Sequence, residues 1–435
     1  MSTEAYGPVG FGLVLLLIAL RVPIALAMAI VGVLGSILLG GWVQAAYILG
    51  NLPFEAITMD GMEIVPLFIF MGVFAAFSGL SSNLYGGIHA LIGHWRGGIA
   101  MATVGASAAF GAISGSSLAT AATIGRVAMP EMRARGYADS LGAASVAAGG
   151  TLGVLIPPSI LIILYAILTR QSVGALFAAA LIPGLIATLL YMAAIVVRVA
   201  INPALGPAGP RLAWRHRLEA LGRVWDAALL ILAVIGGIYA EIFSPTEAAA
   251  VGAGGALIIT AARGKLSGRV LVEGIAETAG MTGMIFLILI GASLFNYFIE
   301  LSQFTAVLTR AIDQAGLPPF GVLLLVMVFY IVLGCFMDSL SMVLLTVVPM
   351  FQLVTGVGYD RIWFGIILVT VAEIGLITPP IGMNLFVIQG VTPNLRLGTI
   401  IRGIFPFIAA DVVRLALLIT FPSLILFLPR ALGLG

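Results

Sequence analysis

The chain has 435 residues, of which 61% are apolar and only 9% charged, with a formal net charge of +2. So little polar surface excludes a water-soluble globular domain, and the single cysteine, Cys335, excludes an internal disulfide. The total charge is too small to mark a polyanionic partner, so its information lies in where the basic residues fall.

A helix needs about 20 residues to cross hydrocarbon, and that length can be laid along the chain. The start lacks the basic stretch and small-residue cleavage site of a secretory leader, so the first apolar run, 6–21, is expected to be retained as a crossing. Crossings follow at 23–41 and 62–80, and 84–95 suits a short helix on the membrane surface. The next apolar stretch, 97–128, belongs to a unit reaching about residue 135. It is too long for one helix and is interrupted by Ser114-Gly115-Ser116-Ser117, which predicts a re-entrant hairpin. Two further crossings, 140–169 and 173–199, complete the first half, taken as residues 1–200.

Residues 201–223 are rich in Pro, Gly and Arg and join the halves. Glu219 and Asp226 dilute the charge there, so the segment reads as a cytoplasmic linker with a helix at the lipid interface, not as a nucleic-acid surface. The second half, 224–435, repeats the pattern: crossings at 226–242, 245–262, 278–300, 361–390 and 399–429, a surface helix at 267–277, and a hairpin over 318–352 in a unit ending near 357. That hairpin is interrupted at Asp338-Ser339-Leu340-Ser341.

The likeness of the halves is ungapped. Pro157-Pro158 recurs as Pro379-Pro380, Gly136-Tyr137 as Gly358-Tyr359, Gly153 as Gly375 and Pro23 as Pro245, always 222 residues apart (379 − 157 = 222). Five crossings per half is an odd number, so the second copy is expected to enter the membrane inverted, as in secondary transporters built from two repeats. With both termini periplasmic, the cytoplasmic side collects Arg21, Arg96, Arg133, Arg135, the linker arginines, Arg263, Lys265, Arg269, Arg396 and Arg402. The outer side keeps Arg170, Arg310, Arg361 and Arg430.

Chemistry is expected where backbone is forced out of helical pairing, because an unpaired peptide group at depth is tolerated only against protein, water or an ion. Besides the two hairpin tips, two crossings are broken: at Gly149 to Ser159 and at Glu373 to Gly382, each around a proline pair that removes amides and disfavours helix before it. Half-helix N-termini suit an anion; freed carbonyls and hydroxyls suit a hard cation. Two cation sites with a carboxylate-bearing substrate between them are predicted. The first offers the neutral oxygens of Ser114, Ser116, Ser117 and Thr151, which suit sodium, while Asp338 and Glu373 replace Ser116 and Thr151 in the second. Gly111 and Gly115 also fit a helix-packing pair, and Asp411 and Arg414, one turn apart, a mutual ion pair. No GxxxxGK[ST] loop, HExxH or GxSxG occurs, and His89, His94 and His216 lack metal spacing, so neither ATP use nor enzyme chemistry is expected.

The run Gly111-Ala-Ile-Ser-Gly-Ser-Ser-Leu-Ala-Thr-Ala-Ala-Thr-Ile-Gly125, with Ala147-Ala-Gly-Gly-Thr-Leu-Gly153 and Ile156-Pro-Pro-Ser-Ile160, resembles the large membrane subunit of TRAP transporters, the DctM family. Met337-Asp-Ser339, Trp363-Phe-Gly365, Ala372-Glu-Ile-Gly375 and Thr378-Pro-Pro-Ile-Gly-Met-Asn384 extend the likeness through the second half. The resemblance implies an all-α polytopic protein of the bacterial or archaeal inner membrane, with an elevator-type transport domain moving on a scaffold. It implies sodium-driven import of an organic acid, a small membrane subunit of DctQ type and a periplasmic binding protein of DctP type. Carried onto this sequence, it implies sodium ligands at Ser114, Gly115, Ser116, Gly150, Thr151 and Gly153, and at Gly334, Asp338, Glu373, Gly375 and Thr378. Substrate contacts are implied at Ser116, Ser117, Pro157, Pro158, Asp338, Ser339, Pro380 and Asn384. A free-standing anion carrier, or a channel or scaffold, stands as the alternative.

Overall fold

A computed structural model describes residues 3–434. Every regular element among them is helical. Seven helical segments are long and apolar enough to cross a membrane, or nine if two bent pairs count as single spans.

The chain opens with α1 (Thr3–Ala19), which ends where Arg21 turns left-handed ahead of Pro23, and α2 (Ile24–Ile57) starts directly behind that proline. Instead of stopping near residue 41, α2 bends at Gly41, whose φ of 80° only glycine adopts easily, and runs on to Ile57. A left-handed Gly79 then divides α3 (Ile64–Ser78) from α4 (Leu80–Ile92), and the two meet at 66°. The first hairpin is α5 (Gly98–Ser114) and α6 (Ser117–Ala134); the first broken helix is α7 (Asp139–Leu155) and α8 (Ile160–Thr169); α9 (Val173–Ile201) closes the half.

After the linker and α10 (Trp214–Leu221), α11 (Trp225–Ile231) continues through a wide turn, Leu232–Gly236, into α12 (Gly237–Tyr239). Next come α13 (Pro245–Ala262) and α14 (Gly268–Leu301). The latter absorbs the surface helix expected at 267–277, since nothing between the two stretches breaks helical pairing. An amphipathic helix not foreseen in the sequence, α15 (Phe304–Gln314), precedes the second hairpin, α16 (Pro319–Gly334) and α17 (Ser339–Gly356). The second broken helix is α18 (Arg361–Ile377) and α19 (Met383–Val391). The last expected crossing, 399–429, is divided by Phe421-Pro422 into α20 (Leu397–Thr420) and α21 (Ser423–Ala431).

The breaks are defined by their caps. Three of the four helices that begin at a break start on a side-chain oxygen: Ser116 accepts from the Ala119 amide, Asp338 from Ser341 and Ser159 from Ile162, whereas α19 starts on Gly382 without one; Asp360 caps α18 from Trp363. The halves match closely: α6 and α17 are both 18 residues long and α7 and α18 both 17, each starting 222 residues apart (339 − 117 = 361 − 139 = 222).

Glycine sets how closely these helices approach. A Cβ on Gly111 would lie 2.6 Å from Gly153 Cα, and one on Gly375 would lie 2.6 Å from Gly334 Cα, so in both halves the first hairpin arm touches the broken helix backbone to backbone. Elsewhere α2 crosses α14 with Gly32 against the Leu294 backbone, while α13 packs on α3. At the hairpin base Arg133 forks onto both oxygens of Asp139, at 2.8 and 2.9 Å, and reaches the Pro393 carbonyl.

The contact between α16 and α18 has backbone on both sides and cannot give way as a flexible side chain would. Gly375→Ala is therefore expected to cost at least 1–3 kcal/mol, roughly the overpacking range, and to lower the apparent Tm in detergent. Gly280→Ala, in the middle of α14 with open space around its Cα, is expected to leave Tm unchanged or raise it slightly.

Candidate functional site

The first hairpin tip and first helix break form one cluster. Gly115 turns left-handed (φ 61°), and a Cβ there would sit 3.0 Å from the Pro158 carbonyl, so the tip lies directly on the proline pair. Gly153 faces Thr120 Oγ1 and the Ser116 carbonyl, and Gly150 faces Ala121, the Ser117 carbonyl and Asn384. Ser114, Gly115, Ser116, Ser117, Gly150, Gly153 and Pro158 thus come together, with Pro157 buried beside them. Ser114 Oγ shares a 2.7 Å hydrogen bond with Thr120 Oγ1. The Thr151 hydroxyl donates to Ala148 O at 2.7 Å and lies 3.2 Å from the Tyr191 hydroxyl.

The second cluster has the same frame and different chemistry. Gly334 packs on Gly375, and the Gly382 amide donates to the Cys335 carbonyl at 3.1 Å, which fastens tip to break. Asp338 caps α17, so one carboxylate oxygen is engaged by a backbone amide; Ser339 is buried beside it, and Thr378 donates to Ile374 O at 2.6 Å. Pro380 is exposed, whereas Pro157 and Pro158 are buried. Glu373 is only 1% exposed; neither of its oxygens makes a hydrogen bond of good geometry, although the hydroxyls of Ser117 and Ser339 lie close to it.

Asn384 joins the clusters. Although it belongs to α19 of the second half, its Nδ2 donates to Ser117 Oγ at 2.9 Å and to the Ala147 carbonyl at 3.1 Å, both in the first. Its own oxygen lies 3.3 Å from Ser117 Oγ. Burial of this amide is offset because its groups are satisfied.

Thr120 and Tyr191 are site residues that sequence reasoning passed over. Thr120 carried a usable signal, a hydroxyl one turn inside the tip; Tyr191 carried none, being one aromatic in an apolar helix. Among the described residues no group of three or more His, Cys, Asp or Glu side chains converges, so the available donor set is hydroxyl and carbonyl oxygen with isolated carboxylates. Such a set is suited to a hard, weakly charged cation.

Residues 11–424 match the family described as "Tripartite ATP-independent periplasmic transporter, DctM component". The chain is 36% identical over 372 residues to the C4-dicarboxylate TRAP transporter large permease protein DctM of Pseudomonas aeruginosa, covering 85% of this chain and 86% of that one. It is 33% identical over 424 residues to the isethionate TRAP transporter permease protein DctMQ of Oleidesulfovibrio alaskensis, covering 97% of this chain and 66% of that one. In fold it is similar to the crystal structure of the Alcanivorax borkumensis YdaH transporter, with a TM-score of 0.59 at 14% identity over 88% of this chain and 90% of that one.

Asn384→Leu leaves Ser117 Oγ and the Ala147 carbonyl buried without their donor. A loss of about 1–3 kcal/mol is expected, read as a fall in apparent Tm in detergent. Ser117→Ala, which leaves the Asn384 bond to Ala147 in place, is expected to lower Tm less.

Proposed function

The chain belongs to the DctM family as a TRAP transporter large permease subunit, and from that premise we propose that it couples inward sodium flow to import of an organic anion, without ATP. The observation that carries this reading is the pairing of each hairpin tip with its own helix break through facing glycines, Gly111 with Gly153 and Gly334 with Gly375. Each pair sets the carbonyls and hydroxyls of a hairpin tip against those of a helix break, and such oxygens are ligands for an alkali ion and poor partners for lipid.

In the first cluster Ser114, Ser116 and Gly150, with Gly115, Gly153 and the Thr151 hydroxyl, supply neutral oxygens and room. In the second, Glu373 supplies charge. A carboxylate held at 1% exposure without a hydrogen bond of good geometry costs several kcal/mol, and a cation there offsets that cost. Gly334, Gly375, Thr378 and Asp338 frame the same space. The anion sits between the tips, against the N-termini of α6 and α17, whose partial positive charge suits a carboxylate. The nearby candidates are Ser116, Ser117, Ser339, Asp338, Asn384 and the proline pairs.

Transport follows an elevator movement in which the two hairpins and broken helices travel as a unit past α2, α3, α13 and α14. Relatives named for a C4-dicarboxylate and for isethionate support a small organic anion as the substrate class. The tripartite family description supports two further components, a small DctQ-type membrane subunit and a DctP-type periplasmic binding protein. This chain spans 66% of the length of the relative named DctMQ. The clustering of Arg133, Arg135, Arg211, Arg215, Arg217 and Arg263 toward one side supports an orientation with both termini in the periplasm.

Proteoliposomes holding the chain with its small subunit test this directly. Uptake is expected only with an inward sodium gradient and the binding protein present, and without ATP. Uptake at full rate without the binding protein would replace the tripartite reading with a free-standing carrier. Replacing Pro379 and Pro380 together by alanine restores amides and helix at the second break and is expected to reduce uptake at least tenfold; an unaltered rate would point to a scaffold.

Glu373→Gln removes the unpaired charge. In sodium-free buffer its apparent Tm is expected to rise above wild type, while the further rise that sodium, but not choline, gives wild type is expected to shrink by at least half.

A further inference from the structure

Between the two candidate cation sites runs a chain of buried polar side chains that starts at Thr151 of the first and leads toward Glu373 of the second. Thr151 on α7 meets Tyr191 on α9 at 3.2 Å, and the Tyr191 hydroxyl reaches both carboxylate oxygens of Asp411 on α20, at 2.9 and 2.8 Å. Asp411 lies 2.8 Å from Arg414, and both are 1% exposed. The Arg414 Nε makes no hydrogen bond, and α20, which carries Arg414, packs against α18, which carries Glu373. All four helices pack on one another.

The direction of the hydrogen bonds gives this chain a role. An ionised carboxylate only accepts, so Tyr191 spends its single proton on Asp411 and meets Thr151 as an acceptor. The Thr151 proton is then directed to Tyr191 or Ala148 O, and the lone pairs of Thr151 stay open to a cation. With Glu373 and Asp411 ionised, the charges of Glu373, Asp411 and Arg414 sum to −1 (−1 − 1 + 1), and a cation at Glu373 brings the cluster to neutrality. With Glu373 neutralised, Arg414 is held by Asp411 alone, which fixes Tyr191 and, through it, the Thr151 hydroxyl.

We propose that Thr151, Tyr191, Asp411 and Arg414 link the two cation sites, so that filling either one raises the affinity of the other. This rests on the sodium-coupled reading above. Tyr191 is on this account a positioning residue, acting on the first site through Thr151 and on the second through the Asp411–Arg414 pair.

The test is equilibrium binding of radioactive sodium to the full chain in lipid nanodiscs. Wild type is expected to bind with a Hill coefficient above about 1.5. Tyr191→Phe removes one hydroxyl from a buried ring and is expected to lower the coefficient to about 1 and raise the half-saturating sodium concentration roughly fivefold or more. Tyr330→Phe removes an equally buried hydroxyl, bonded to Thr346 and unconnected to the chain, and is expected to change neither. Asp411→Asn, which belongs to neither cation site, cuts the link at the carboxylate that holds Tyr191 and is expected to flatten the curve as Tyr191→Phe does. It decides the matter should Tyr191→Phe fail to fold. An unchanged coefficient in Tyr191→Phe, or a coefficient of one in wild type, overturns the link alone. Wild type that binds no sodium overturns the underlying sodium reading as well.

Discussion

A peptide group without its helical partner costs several kcal/mol in hydrocarbon, and this chain places four interruptions of helix within its apolar mass. The rest of the structure is arranged around making those interruptions tolerable. Each is capped by a side-chain oxygen or an opposing amide: Ser116, Ser159 and Asp338 take the first amides of the helices that follow, and the Gly382 amide finds the Cys335 carbonyl. Each is then covered by backbone, because Gly111, Gly153, Gly334 and Gly375 carry no Cβ to hold the neighbouring strand of chain away. Lipid cannot enter a contact that close. Of the side-chain oxygens at the breaks, the two of Glu373 are the ones left buried without a hydrogen bond among the described residues.

Identical frames have been given unlike chemistry. At the 222-residue register Thr151 corresponds to Glu373, Ser116 to Asp338 and Asn384 to Ile162, so the second cluster carries charge and sends an amide across to the first. The duplication therefore supplies geometry, while substitutions within it divide the labour. A neutral cluster binds a cation through dipoles alone; a cluster with an unpaired buried carboxylate is electrostatically incomplete until something positive arrives.

Much of this was legible in the sequence because it depends on local rules. Proline pairs break helices wherever they occur, and Ser-Gly-Ser-Ser within an apolar stretch marks a turn with caps. The unforeseen parts depend on tertiary neighbours or on where composition misleads. Gln44, Asn51 and Glu55 make residues 42–57 look like a loop, yet helical pairing survives the Gly41 bend and α2 continues. The apolar window of 278–300 hides that α14 begins at Gly268, since Glu273 and Glu277 are compatible with helix but not with a hydropathy threshold. No periodicity announces that Asn384 will meet Ser117, 267 residues away, or that Tyr191 will meet Asp411, 220 residues away. Asp411 and Arg414, by contrast, were readable as a pair because one turn of helix brings them together.

The linker shows how the halves are joined without being left slack. The Leu205 carbonyl accepts from the Ala138 amide and the Gly206 carbonyl from Gly97, so the chain leaving α9 is bonded to the residues that open α7 and α5. Gly206 lies against Gly97, and a side chain there would meet the Tyr137 ring. On the far side of the linker α10 packs on α4. Between these anchors, residues 207–213 have no helical pairing to lose. The first anchor belongs to the hairpin and broken helix, the second to the helix that precedes them. Any displacement of the hairpin relative to α4 must therefore be taken up in this segment and at the α4–α5 turn, where Gly97 is left-handed and its amide is already bonded to Gly206.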